Sequence, residues 1–94
     1  MKRVIKAAKV TDYIDADMLH KWMLNPNFGE VSSYRQLDDM IIETVEEVYN
    51  VFQGTESATK RRYWKFVRGD EGWEAYEVDK YGDRLRNSKA FLLR

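Results

Sequence analysis

The chain has 94 residues, with 16 basic and 16 acidic side chains, one histidine and no cysteine. That limits it to one domain with a small core, and it excludes disulfides, thiolate zinc sites, iron–sulfur ligation and thiol catalysis. The balanced total hides segregation: residues 33–54 carry Arg35 against five carboxylates, a net of −4, whereas residues 55–94 carry ten basic against seven acidic groups, a net of +3. Two electrostatically unlike surfaces are therefore expected.

Residues 1–10 place Val4, Ile5 and Val10 among lysines and alanines and fit either a short strand, the preferred reading, or a frayed helical lead-in. They hold no apolar run long enough for a signal peptide, and no segment approaches the roughly 20 apolar residues of a membrane span. A soluble, cytoplasmic protein without membrane contact follows as the expectation. From Thr11 the signal turns helical. Asp12, Asp15 and Asp17 crowd one end, His20 and Lys21 the other, and Ile14, Met18 and Trp22 recur every four residues. This predicts a helix over residues 12–23, stopped by Asn25 and Pro26 because the residue before proline is pushed out of helical geometry. Residues 27–32 read as a loop.

Residues 33–53 give the longest periodic signal. At 100° per residue, Leu37, Met40, Ile41, Thr44, Val45, Val48, Val51 and Phe52 share one arc, and Asp39, Glu43, Glu46, Glu47 and Asn50 lie opposite. Ser33 and Gln36 fit a capping box, and Gly54 supplies a C-terminal stop. The spacing predicts one long amphipathic helix whose outer side is a carboxylate ridge.

Beyond a polar connector at 55–59 the period changes. Residues 61–68, with Tyr63, Trp64, Phe66 and Val67, read as a strand. Residues 69–72 form a turn and residues 73–78 a second strand, in a register that sets Arg68 opposite Trp73, Phe66 opposite Ala75 and Trp64 opposite Glu77. A further turn at 79–82 leads to a short strand near 83–86, and residues 88–94 are apolar enough to dock on the core. The resulting fold class is α+β: a single domain spanning 1–94, with two helices, the second long, packed on a three-stranded antiparallel meander. Trp64, Phe66, Trp73 and Ala75 should turn inward, leaving Tyr63, Lys65, Val67, Tyr76 and Val78 on an open face.

No constellation for catalysis is visible. His20, beside Lys21 at a helix end, reads as a dipole-complementing residue, and no serine or threonine sits in a tight-turn nucleophile motif. Asp12, Asp15 and Asp17 lack the glycine and spacing of a calcium loop. No catalytic residue, metal or cofactor is expected. Two surfaces could bind. The carboxylate ridge of Asp39, Glu43, Glu46 and Glu47, with Tyr63 and Tyr76 on the open strand face, suits a protein partner. The alternative is the run Lys60, Arg61, Arg62, Lys65 and Arg68, interleaved with rings, which suits nucleic acid because cations neutralise phosphates while bases stack. Exposed sheet edges also permit a homodimer or a small structural assembly.

In length, absence of cysteine and segregated charge, the chain resembles the short single-domain regulators and inhibitors encoded by phages and mobile elements, including the anti-CRISPR class. The resemblance is one of composition and covers no motif. It implies a non-catalytic module that acts by occupying a partner's surface.

Overall fold

The computed structural model describes residues 8–49 and 57–94. Its centre is a five-stranded antiparallel sheet in sequential order: β1 (Ser33–Gln36), β2 (Ile41–Tyr49), β3 (Ser57–Gly69), β4 (Gly72–Val78) and β5 (Phe91–Leu92). One α-helix, α1 (Ala16–Trp22), and two 3-10 turns, Val10–Asp12 and Pro26–Phe28, precede it. The expected pair of helices on a three-stranded meander is thus corrected to a mostly β fold with, among the described residues, a single short α-helix.

The correction falls on residues 33–53. Instead of one helix, β1 and β2 form a hairpin with Arg35 opposite Glu43 and Gln36 opposite Ile42. Ile41, Ile42, Thr44, Val45 and Val48 are all β-branched, stiff at χ1 and suited to a pleated surface. Their spacing by itself favours the period of 3.6, since alternation divides them, Ile42 and Thr44 on one face and Ile41 and Val45 on the other. What decides is the turn between them. Asp39 and Met40 both take positive φ, 61° and 63°, a left-handed conformation that no helix interior contains. Three contacts hold it: Met40 N–H donates to the Ala8 carbonyl, the Met40 carbonyl accepts from Phe66 N–H, and the Lys65 ammonium donates to the Asp39 carbonyl. Gln36, read as half of a capping box, instead accepts from the Thr11 N–H. Gly54 and residues 1–7 of the strand expected over 1–10 lie outside the described residues; its described end is not a strand, since Val10 opens the 3-10 turn Val10–Asp12.

The helix expected over 12–23 is shorter than its signal. Asp15 caps α1 by accepting from Asp17 N–H, and Asp12 accepts from Lys9 N–H. Its buried side is Leu19 and Trp22, followed by Met23, while Met18 is exposed. Seven residues cannot hold a helix alone; burial of that side against the sheet holds it. Asn25 then caps the turn that carries Phe28.

From residue 57 onward the expected pattern largely holds. β3 and β4 pair with Arg68 opposite Trp73, Phe66 opposite Ala75 and Trp64 opposite Glu77. Trp64, Phe66 and Ala75 are buried, and Trp73 packs on the cluster they form. The strand expected near 83–86 reduces to a single bridge between Val78 and Arg84, because Asp79 draws the chain into a tight turn by accepting from the N–H groups of Tyr81 and Asp83. The C-terminal segment docks as β5, with Leu93 buried.

The core lies on one face of this sheet. Val10, Leu19, Trp22, Met23 and Phe28 cover Ile42, Trp64, Phe66 and Ala75. The Trp64 indole N–H, inside this layer, donates to the Thr44 hydroxyl at 2.9 Å. Two outcomes follow. Asp39→Gly should leave stability within about 0.5 kcal/mol of wild type, while Asp39→Val should cost about 1–2 kcal/mol in a urea melt; a helix would reverse that order, since glycine is then the worse residue. Thr44→Val should lower the unfolding free energy by about 1–3 kcal/mol, because it leaves a buried indole N–H without an acceptor.

Candidate functional site

Strand alternation sends every second side chain to the face that carries neither α1 nor the 3-10 turns. Pairing aligns these side chains in rows across the sheet. One row runs Arg35, Glu43, Tyr63, Val78 and Arg84; the next runs Ile41, Lys65 and Tyr76; a third, Val67, Glu74 and Leu92; a fourth, Ser33, Val45 and Arg61. Val78, expected on an open face, is buried on it. The turn at 79–82 folds over this end, so that a Cβ on Gly82 would stand 3.2 Å from Ile41 Cδ1. Tyr63, Lys65, Val67 and Tyr76 stay half-buried, as a face open to a partner requires.

Several polar groups of this face, Glu43, Lys65 and Arg84 among them, are held within the chain. Glu43 is 5% exposed, and two largely exposed arginines lean over it, Arg35 at 3.4 Å and Arg61 at 3.9 Å. A buried carboxylate without such partners would be costly. Lys65 is bound to the Asp39 carbonyl. The Arg84 guanidinium lies 4.4 Å from the centre of the Tyr76 ring and donates to the Ser88 carbonyl.

The residues expected at the site are sorted by this geometry. The carboxylate ridge does not exist as one surface: Glu43 and Glu47 occupy the open face, Glu46 the covered one, and Asp39 the hairpin turn. A helix would have aligned them, and a period of two separates them. Tyr63 and Tyr76 do fall on one face of adjacent strands, as diagonal neighbours, with Tyr63 opposite Val78 and Tyr76 opposite Lys65. The basic run divides in the same way, Arg61 and Lys65 on the open face, Lys60, Arg62 and Arg68 on the other. Arg35 and Arg84, not singled out from sequence, join the open face. Their place depends on the β1 register and the bridge at Val78, and the one local signal was the two aspartates before Met40.

On the covered side, Arg62 makes a two-pronged pair with Glu77, 2.7 and 3.0 Å, and lies over the Trp64 ring. These hydrogen bonds raise the guanidinium pKa above its ordinary value, against the lowering effect of partial burial. A raised pKa contributes stability that is fully present below the ordinary value and lost only as pH rises through the raised one, in strong alkali. The pair borders a cleft of about 280 Å³ that also meets Asn27 and Lys89. Of the charged groups that line it, Arg62 and Glu77 satisfy each other. No cluster of metal-ligating side chains occurs among the described residues, and none of their helices is long and apolar enough to cross a membrane. No protein-family model, curated protein or solved structure matches this chain.

Proposed function

We propose that this protein is a non-catalytic binding module of the cytoplasm that acts as a regulator or inhibitor does, by occupying the surface of a protein partner with its open sheet face. The observation that carries the reading is the placement of half-buried Tyr63 and Tyr76 on the same face of adjacent strands, diagonal to one another, with Val45, Val67 and Leu92 on that face. Tyrosine and arginine around an apolar centre are the composition of interface cores. Arg61, Lys65 and Arg84 are already engaged by Glu43, by a backbone carbonyl and by a ring, so the centre of the face offers mainly apolar contact, while Arg35 at its edge, 67% exposed beside Glu43, keeps donors for a further acceptor.

Nucleic acid is the weaker alternative. Phosphate binding draws on free cations arranged along one track, and here alternation sends three of the five residues first suspected to the covered side while Arg62 is committed to Glu77. Self-association through the same face is a third reading, separated from the others by mass in solution.

The test is affinity capture from the native lysate, comparing the wild-type chain with Tyr63→Ser/Tyr76→Ser at matched thermal melts. A stoichiometric protein partner that is lost with the double substitution is the expected result. Recovery indifferent to both tyrosines contradicts the assignment of the face, and salt-sensitive oligonucleotide binding without a protein partner contradicts the assignment of function.

A further inference from the structure

Strand β1 is the first in the sheet order, so β2 hydrogen-bonds it on one side and none of the described strands does on the other. In an antiparallel ladder each residue sends both its N–H and its C=O to the same side. The bond from Leu37 N–H to the Ile41 carbonyl fixes the phase. Ser33 and Arg35 therefore face β2, and Tyr34 and Gln36 present their amide and carbonyl groups outward. Such a row is complementary to another extended backbone.

Beside this edge, on the covered side, the chain forms a cleft of about 300 Å³ between the end of α1 and the start of β1. Met23 and Val31 line it, Leu24 stands beside it 75% exposed, and His20 and Tyr34 close it with rings 6.3 Å apart. No carboxylate lines it. The Tyr34 side chain packs against the core on this same side, so a residue opposite Tyr34 on an added strand would direct its side chain toward the cleft. The next residue would point to the open face, opposite Arg35, whose side chain is 67% exposed.

We infer that β1 accepts a short extended segment of a different polypeptide as a sixth strand. The segment carries a large apolar residue, which enters the cleft, followed or preceded by an acidic residue, which meets Arg35. A second copy of this chain is the poorer occupant, because β1 itself reads Ser-Tyr-Arg-Gln: its one large ring already packs on its own core, and it brings arginine to arginine. β1 is only four residues long, so backbone bonds alone would bind weakly and the cleft would supply selectivity. This edge is distinct from the Tyr63–Tyr76 face, and the inference stands or falls separately from it.

The probe is a capped peptide of alternating threonine and valine with a central Leu-Glu, titrated into the full chain and followed by amide chemical shifts. Shifts concentrated at residues 31–36 and at Met23 and Leu24, with slowed exchange at Tyr34 and Gln36, are the expected result. Replacing the peptide leucine by serine, or Leu24→Asp in the protein, should weaken binding roughly tenfold or more; Leu24 is exposed, so the fold survives that change. Absence of shifts at low-millimolar peptide, shifts mapping elsewhere, or binding indifferent to both changes would overturn the inference. Concentration-dependent shifts at β1 in the free protein would also overturn it, in favour of a second copy.

Discussion

The structure depends on how one ring is seated. Phe28, delivered by a three-residue turn between α1 and β1, meets Trp64 edge-on at 4.8 Å, Phe91 edge-on at 5.1 Å and Phe66 stacked at 6.0 Å. It joins the N-terminal helical part to β3 and to β5. Trp22 adds to the same layer against Phe66. Edge-to-face geometry of this kind contributes beyond the area it buries, and a seven-residue helix has no other means of staying folded. Gly29, at a φ of 81°, lets the chain leave the ring and enter β1.

Once that layer covers one side of the sheet, alternation assigns every other strand residue to the opposite side. The functional reading follows from this division more than from any single side chain. Charges that are neighbours in sequence become residents of different faces, as Glu46 and Glu47 do, and residues far apart converge, as Arg35, Arg61 and Glu43 do. The open face then combines rings and aliphatic side chains with charges of both signs, Arg35, Arg61, Lys65 and Arg84 beside Glu43, Glu47 and Glu74, and the proposed protein contact rests on that mixture. Long-range steering by a strong field, which the segregated charge of the sequence suggested, has no single ridge to arise from.

Legibility differed sharply between the two halves of the chain. From Arg61 to Val78 the sequence reports its structure well, because aromatic and β-branched residues alternate with charges and a glycine-flanked turn pins the register; strand identity, pairing and inward residues were all readable there. Residues 33–49 mislead because Leu37, Met40, Ile41 and Val45 share one helical arc with Glu43, Glu46 and Glu47 opposite, so apolar spacing favours the helical state over the extended one. The information that separates them was conformational preference: five β-branched residues, and Asp39, of a type that tolerates the left-handed conformation it and Met40 adopt in the turn. The candidate site was half legible for the same reason. Tyr63 and Tyr76 lie in the readable half, whereas Arg35 and Glu43 reach the face only through a hairpin that apolar spacing concealed.

The central claim is that residues 33–36 and 41–49 run as antiparallel strands with two faces. Proton NMR of the native chain tests it directly through the closest cross-strand pairs. The account predicts Hα–Hα contacts between Tyr34 and Thr44 and between Glu43 and Tyr63, which occupy the pairs not bridged by backbone hydrogen bonds. A continuous series of Hα to i+3 amide contacts through residues 37–49, with those cross-strand contacts absent, would contradict it.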